Sequence, residues 1–188
     1  MSGRLEFIFG AMGAGKSAYL IDWKNASQQP VGLFKPATDT RTKNTIRSRN
    51  GREEECTVVN DYKHLDLLLL KCVFRGEKMV GIDEAQFLSK ESINVLRKYA
   101  NAGLHIRCTG LLLDFRGILF ETSRLLLEMA DYTNVIDAYC EYCGSLARYN
   151  IRLDADGKRV MDGRLIEIGS DNYKTICGGC FFGGEDGR

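Results

Sequence analysis

Short apolar runs alternate with longer amphipathic runs over residues 4–139 of this chain. The apolar runs are rich in β-branched and aromatic side chains, which is typical of buried strands. The predicted strands are 4–9, 31–35, 57–59, 79–82, 105–109 and 135–139. The predicted helices are 16–25, 62–70, a segment that begins after the N-cap Ser89, and 119–129. Strands that alternate with helices predict βαβ units, and therefore an α/β fold with a mostly parallel sheet flanked by helices.

Two stretches depart from this alternation. The segment 37–55 is polar and short of apolar residues, which predicts a mobile loop. After residue 139 the cysteines come in pairs, and the residues 154–157 predict a turn between two strand-like segments. We therefore expect an α/β domain over 1–139 and a small β-rich domain over 140–188.

Composition and charge narrow the function classes. The chain has 188 residues, and its 26 Lys and Arg against 25 Asp and Glu give a net charge of +1. A dedicated nucleic-acid binder is usually basic, so this balance disfavours that class but leaves a local basic patch open. No apolar run approaches the roughly 18 residues of a membrane span, and the first residues show no signal-peptide pattern. We expect a cytoplasmic protein with neither a membrane nor a nucleic acid as partner.

A glycine-rich segment follows the first predicted strand and opens the first predicted helix. Residues 10–17 fit the pattern G-x-x-x-x-G-K-[ST], whose backbone N–H groups cradle phosphates at a helix N-terminus. Lys16 would reach the β- and γ-phosphates, and the Ser17 hydroxyl would bind Mg²⁺. The alternative is a glycine-rich turn with a chance Lys-Ser, which the flanking strand and helix disfavour. The predicted phosphate-binding residues are Gly10, Ala11, Met12, Gly13, Ala14, Gly15, Lys16 and Ser17.

Two adjacent acids end the apolar strand 79–82. An Asp at such a strand end typically holds Mg²⁺ directly or through water, which is the role we predict for Asp83. The neighbouring Glu84 can then act as a general base. The alternative is an acidic pair that favours the start of a helix through the helix dipole.

Four of the seven cysteines form two C-x-x-C pairs, Cys140 with Cys143 and Cys177 with Cys180. Four thiolates complete a tetrahedral zinc site without a vacant position, so the pattern predicts a structural Zn²⁺. A redox pair or free thiols are the alternatives. An odd number of cysteines in a reducing compartment argues against a disulfide framework. Cys72 and Cys108 are predicted to be small apolar core residues.

The motifs together resemble the thymidine kinase family of bacteria, some viruses and the animal cytosol. The resemblance covers about 4–182 and is carried by 10–17, 35–41, 81–87, 110–117, 168–173 and both cysteine pairs. It implies a P-loop NTPase-like domain with a zinc-anchored lasso domain, Mg-ATP as the phosphoryl donor, thymidine and related deoxynucleosides as substrates, and a homotetramer. The implied reaction transfers the γ-phosphoryl group to the 5′-hydroxyl of thymidine or deoxyuridine, in nucleotide salvage for DNA synthesis.

The resemblance also implies roles for single residues. Glu84 would be the base for the nucleoside 5′-hydroxyl, and Asp83 would assist Mg²⁺. Asp39, Arg41 and Gln86 would lie near the phosphates. The residues implied to hold the nucleoside are Met12, Phe87, Leu111, Phe115, Phe120, Asn150, Leu165, Ile166, Glu167, Ile168, Gly169 and Tyr173.

Alternatives to these roles stay open at this point. Arg41 could be a solvated loop charge and Tyr173 a surface tyrosine. Four apolar residues of the set could instead belong to the core: Met12, Leu111, Phe115 and Phe120. Asn150 stands where the family often has Thr near the 5-substituent of the base, which leaves the choice among thymidine, deoxyuridine and 5-modified analogues open. The competing functions are a P-loop ATPase that acts on nucleic acid and a non-enzymatic zinc module with a degenerate loop.

Overall fold

The computed structural model describes residues 3–165 and 172–183. Its larger part alternates strands and helices as predicted. The strands of this part are β1 (Arg4–Phe9), β2 (Val31–Pro36), β3 (Thr45–Arg47), β4 (Glu53–Glu55), β5 (Thr57–Val59), β6 (Met79–Ile82), β7 (His105–Gly110) and β8 (Tyr132–Val135). The helices are α1 (Lys16–Ala26), α2 (Tyr62–Phe74), α3 (Lys90–Asn101) and α4 (Glu121–Met129), with a 3-10 turn at Ala85–Phe87.

Within the described residues, six of these strands form one parallel sheet in the order β5-β2-β6-β7-β1-β8. The central strands are buried on both faces, and their sequences are therefore largely apolar. Two buried charges interrupt this pattern in β1 and β7 and pair with each other, because Arg107 Nε lies 2.6 Å from Glu6 Oε2. One face packs against α2, α3 and α4, and the other packs against α1. This architecture confirms the predicted α/β class. Because the strands are parallel, the segments that follow them meet at one edge of the sheet.

The prediction of a mobile loop over 37–55 is wrong for its second half. β3 and β4 form an antiparallel hairpin, and Ile46 is buried against Leu20 and Ile21 of α1. Ion pairs tie the same hairpin to α1: Lys24 lies 2.5 Å from Glu54, and Arg52 pairs with Asp22. A single buried apolar residue among polar ones gives the sequence little hydrophobic period, so the pattern resembled a loop.

The prediction of a strand over 135–139 is also wrong in its placement. The outer strand of the sheet is β8, which ends at Val135, and its first three residues are exposed. An edge strand buries little of its surface, so its polar sequence did not suggest a strand. The next two residues of β structure, β9 (Ala138–Tyr139), pair instead with β10 (Leu146–Ala147).

The small C-terminal module contains a three-stranded antiparallel sheet as well as the β9–β10 pair. Its remaining elements are β11 (Tyr149–Leu153), β12 (Arg159–Val160), β13 (Tyr173–Ile176) and the short helix α5 (Gly178–Phe182). Its core includes Ile151, Ile176 and Phe181, and Ala11 of the glycine-rich segment belongs to the same cluster. The module therefore packs directly on that segment. The boundary between 139 and 140 stays a prediction. No helix within the described residues has the length and apolar character needed to cross a membrane.

Candidate active site

A cavity of about 390 Å³ opens at the carboxyl edge of the sheet. Its walls come from the segment after β1, the 3-10 turn after β6, the segment after β7, the β3–β4 hairpin and the small module. Several predicted site residues line it: Met12, Gly13, Gly15, Lys16, Ser17, Asp39, Arg41, Glu84, Phe87, Leu111, Phe115, Phe120, Asn150, Leu165 and Tyr173. The cavity therefore joins the predicted phosphate-binding and nucleoside-binding residues in one space.

The glycine-rich segment runs from β1 into α1 with two residues in the left-handed region. Gly13 has φ 79° and Gly15 has φ 86°, values that L side chains rarely adopt. Inside the curve, the Lys16 ammonium donates to the carbonyl oxygens of Gly10 at 3.0 Å and of Ala11 at 2.7 Å. Burial lowers the pKa of Lys16, although the carboxylates of Asp83 and Glu84 act against this shift. The loop thus holds a buried cation at the start of a helix, which suits phosphate oxygens.

A hydroxyl and a carboxylate meet beside this loop. The Ser17 hydroxyl donates to Asp83 Oδ2 at 2.7 Å, and the Thr109 hydroxyl donates to Asp83 Oδ1 at 2.7 Å. Burial raises the pKa of Asp83, and the neighbouring Glu84 raises it further. Hard oxygen ligands of this kind fit Mg²⁺, which prefers one or two carboxylates together with phosphate oxygens. Ser17 and Asp83 are therefore the residues that would hold Mg²⁺.

Glu84 stands in an unusual backbone conformation. With φ 52° it is the one non-glycine residue of positive φ among residues 3–165 and 172–183. Such strain persists when the surroundings hold it, and here both carboxylate oxygens are held. Arg41 Nη2 donates to Oε1 at 2.6 Å, and Gln86 Nε2 donates to Oε2 at 2.6 Å. Gln86 is itself fixed, because its amide oxygen accepts from the backbone N–H of Leu111 at 2.9 Å. These contacts aim a carboxylate into the cavity.

Gln86 is buried and is not among the residues that line the described cavity. The resemblance placed it near the phosphates, whereas the structure places its amide behind Glu84. Four other residues that were predicted to bind phosphate or Mg²⁺ support the cavity wall without lining it in the described part of the chain: Gly10, Ala11, Ala14 and Asp83. Gln86 is best understood as a residue that positions Glu84.

Arg41 links Glu84 to a second carboxylate. Its Nε donates to Asp39 Oδ1 at 2.6 Å, and Lys35 Nζ lies 3.5 Å from Asp39 Oδ2. Burial disfavours the charged form of Arg41, but the carboxylates of Glu84 and Asp39 outweigh it and raise the pKa of the guanidinium. Burial likewise acts to raise the pKa of Asp39, but the hydrogen bonds and charge of Arg41 and the charge of Lys35 together outweigh it and lower that pKa. Arg41 is thus held as a cation between two carboxylates, although 54% of its side chain remains exposed.

Aromatic rings form the other end of the cavity. Phe87 and Phe120 meet edge to face with ring centroids 5.9 Å apart, and the Arg152 guanidinium lies 4.1 Å from the centre of the Phe115 ring. Arg152 also donates to the carbonyl oxygens of Arg164 and Asp162, which holds the chain just before Leu165 against the pocket. The expected contacts of Ile166, Glu167, Ile168 and Gly169 lie outside the described residues. A flat ring with a few polar groups would suit these walls.

The sequence analysis missed several residues that line the cavity. The β3–β4 hairpin contributes Arg47, Ser48, Arg49 and Asn50, and the segment after β7 contributes Leu113 and Asp114. The signal for the hairpin was the Asn50-Gly51 pair, which is a common turn signal. Asp114 stabilises the loop in which it lies, because it accepts two hydrogen bonds from the Arg116 side chain and one from the backbone N–H of Ile118.

Two residues of the small module hold Met12 of the glycine-rich loop. Asn150 Oδ1 accepts from the Met12 backbone N–H at 2.8 Å, and the Thr175 hydroxyl donates to the Met12 carbonyl oxygen at 2.7 Å. Both side chains are buried. The module therefore fixes the conformation of the loop through its backbone, in addition to walling the cavity.

Replacing Asn150 with Ala is expected to lower the free energy of unfolding by about 1–3 kcal/mol, because it leaves the Met12 N–H without its acceptor. Urea unfolding followed by circular dichroism measures this change. Asn44→Ala is the matched control, since Asn44 is exposed and its side chain is not part of the cavity wall. Equal stability of the two variants would contradict the proposed contact.

The four paired cysteines come together at the base of the module. Their sulfur atoms all lie within 4.8 Å of one another, with Cys143 Sγ at 3.6 Å from Cys177 Sγ and 3.8 Å from Cys180 Sγ. Zn–S bonds of about 2.3 Å in a tetrahedron place the sulfurs about 3.8 Å apart, so the cluster fits that ion. Hydrogen bonds from Ser145 are the largest cause that lowers the pKa of the Cys143 thiol, to about 6. The cluster could hold a metal ion and would join both ends of the module.

Comparisons with known proteins point to one family. The family model described as thymidine kinase matches residues 3–181. A thymidine kinase of Mycoplasma genitalium is 36% identical over 183 residues, which cover 93% of this chain and 81% of that protein. A thymidine kinase of Legionella pneumophila strain Lens is 34% identical and covers 98% of this chain and 92% of its own. One from Encephalitozoon cuniculi is 35% identical, with 95% and 87% covered.

Proposed function

Because the chain belongs to the thymidine kinase family, we propose that its cavity transfers the γ-phosphoryl group of ATP to the 5′-hydroxyl of thymidine or deoxyuridine. The observation that carries this proposal is the position of Glu84. Its carboxylate lines the cavity between the glycine-rich loop and the aromatic walls. A nucleoside between the aromatic rings and a triphosphate on the loop would bring their reacting ends to Glu84.

The reaction follows from the groups around Glu84. The 5′-hydroxyl gives its proton to the Glu84 carboxylate as the oxygen attacks the γ-phosphorus in line. The new O–P bond forms while the bond to the β–γ bridging oxygen breaks, and that oxygen leaves with ADP. Lys16 offsets charge on the phosphate oxygens, and Arg41 holds Glu84 in place. Mg²⁺, held by Ser17 and Asp83, would neutralise phosphate charge when bound.

Zinc is the proposed occupant of the cysteine cluster. With all four thiolates used, the ion has no open position for chemistry and would be structural. It would close the small module at Cys140 and Cys143 on one side and at Cys177 and Cys180 on the other. The module would then keep Asn150, Thr175 and Tyr173 in place around the glycine-rich loop and the nucleoside.

A homotetramer in the cytoplasm is part of the same proposal. The outer face of α2 supports self-association, because it carries an exposed apolar stripe of Leu67, Leu70, Val73 and Phe74, of which Phe74 is 82% exposed. Free cysteines agree with a reducing compartment: Cys56, Cys72 and Cys108 form no disulfide.

A nucleoside panel tests the activity. With Mg-ATP, thymidine and deoxyuridine are expected to yield the 5′-monophosphate and ADP, whereas deoxycytidine is expected to react at least about tenfold more slowly because it reverses the hydrogen-bonding pattern of the base edge. Chromatography of the nucleotides measures both products. Preferred phosphorylation of deoxycytidine contradicts the base assignment. ADP release that depends on added DNA or RNA, and not on thymidine, contradicts the kinase and supports a nucleic-acid-dependent ATPase.

A further inference from the structure

The tip of the β3–β4 hairpin places an arginine over the glycine-rich loop. A Cβ atom added at Gly13 would lie 3.0 Å from Arg49 Nη1, so the guanidinium occupies the space beside the Gly13 backbone. Arg49 lines the same cavity as Lys16, Ser17 and Glu84. Arg47 lines the cavity too, but Arg49 is the hairpin residue whose side chain reaches Gly13.

The hairpin tip is fixed relative to that loop. Ile46 packs into the apolar cluster of α1, and the ion pairs of Arg52 and Glu54 clamp the hairpin to the same helix. Within the tip, the Ser48 backbone N–H donates to the Arg52 carbonyl oxygen at 2.9 Å, and Gly51 N–H donates to the Ser48 carbonyl oxygen at 3.1 Å. Since α1 begins at Lys16, the helix carries both the loop and the support of the hairpin.

Arg41 and Arg49, two of the three arginines that line the described cavity, differ in their partners. Arg41 is engaged by the Asp39 and Glu84 carboxylates. Among the residues that the structure describes, Arg49 forms no ion pair and donates no side-chain hydrogen bond. Burial is the largest cause of the lowered pKa of Lys16, and the positive charges of Arg41 and Arg49 act in the same direction. The guanidinium of Arg49 and the buried ammonium of Lys16 together make the local electrostatic potential positive. An anion bound between them would be stabilised, and the guanidinium has N–H donors available for it.

We propose that Arg49 binds the terminal phosphate of the donor nucleotide and stabilises the charge on the transferred phosphoryl group. This role rests on the proposed kinase function. It adds a residue of the β3–β4 hairpin to the phosphate-binding residues of the glycine-rich loop. The planar guanidinium can donate two hydrogen bonds to phosphate oxygens, and its charge stays in place while the O–P bonds exchange. Arg49 neither gains nor loses a proton: the hydroxyl proton goes to Glu84, and the bridging oxygen leaves on ADP.

The variant Arg49→Gln tests this role. Arginines that stabilise the phosphoryl transition state contribute about 10³–10⁵-fold to kcat in other enzymes; for this exposed side chain we expect a fall in kcat of at least about 100-fold. KM for thymidine is expected to stay within about threefold, because Arg49 lies at the loop end of the cavity. Arg49→Lys keeps the charge but not the bidentate geometry, so it should recover part of the rate.

Lys43→Gln is the matched control. It removes one positive charge from the same segment, is exposed, and does not line the described cavity. Its kcat is expected within about threefold of the parent value. Thermal unfolding of each variant checks that the fold is intact. A fall in kcat of the same size in both variants would indicate a general charge effect and overturn the proposal.

Binding measurements test the role of Arg49 independently of the proposed kinase activity. A non-hydrolysable ATP analogue is expected to bind Arg49→Gln at least about tenfold more weakly than the parent chain, while ADP affinity changes by less than threefold. This comparison requires no turnover, so it remains decisive even if the parent chain fails to phosphorylate thymidine. Equal loss for the analogue and ADP, or unchanged affinity for both, would overturn the assignment of Arg49 to the terminal phosphate.

Discussion

Replacing Glu84 with Gln is expected to lower kcat by about 10²–10⁴-fold, the range that a positioned general base contributes. The amide keeps the size and shape of the side chain but cannot take the proton of the 5′-hydroxyl. The amide oxygen of the new side chain can still accept the hydrogen bond from Arg41 that the Glu84 carboxylate accepts at 2.6 Å. Binding of ATP and thymidine should therefore change much less than kcat.

Single-turnover kinetics, with the enzyme in excess over thymidine and with saturating Mg-ATP, measure this effect without interference from product release. Glu128→Gln is the control, because Glu128 is an exposed residue of α4 that pairs with Arg124 on the same helix. Its kcat should equal that of the parent chain. If the Glu84 variant turned over at the parent rate with an unchanged thermal midpoint, Glu84 would not be the base.

Replacing Gln86 with Leu tests the residue that holds the Glu84 carboxylate in place. The change removes the donor to Glu84 Oε2 and the acceptor of the Leu111 N–H. A positioning role predicts a lower kcat with little change in KM for ATP or thymidine, because the Glu84 carboxylate loses one of its two hydrogen bonds.

The sheet and the phosphate loop could be predicted because their sequence signals are local. A strand that is buried on both faces requires mostly apolar residues, and β6 is accordingly visible as a continuous apolar run. β1 and β7 each contain one buried charge, Glu6 and Arg107, but apolar residues flank it on both sides. The glycine-rich segment needs small residues where φ is positive, as at Gly13 and Gly15. Parallel topology then brings the ends of these strands to one edge, which explains how Lys16 and Glu84 could be assigned to the same site.

The Asn50-Gly51 pair indicates a turn, but the position of the hairpin against α1, the edge strand and the support of Glu84 could not be predicted, because long-range contacts determine them. The hairpin is held by Ile46 and by ion pairs to α1, and none of these leaves a periodic pattern in the segment itself. Nothing in the sequence shows that Gln86 bonds to the Leu111 backbone or that Thr175 bonds to Met12. Single polar contacts of this kind depend on the distance between elements, which the alternation of apolar residues does not encode.

Replacing Cys177 with Ser is expected to have the largest effect on stability. Structural zinc sites contribute about 10–16 kcal/mol of apparent binding free energy, so removing one of four thiolates should cost several kcal/mol. For a chain of this length that is a fall in Tm of at least about 5 °C. Thr175 lies two positions before Cys177 and bonds to the Met12 carbonyl oxygen, so a loosened cluster should also loosen the phosphate loop.

Two measurements follow this change independently of activity. Atomic spectroscopy should find one zinc per parent chain and less in the variant, and a chelator should lower the Tm of the parent chain towards that of Cys177→Ser. The control is Cys56→Ser, which makes the same chemical change in a cysteine outside the cluster and should retain the zinc.

Because Asn150 and Thr175 hold both polar groups of the Met12 backbone, loss of zinc should raise KM for ATP as well as for thymidine. Metal-free parent chain with an unchanged Tm and unchanged KM values would show that the four cysteines hold the module without an ion.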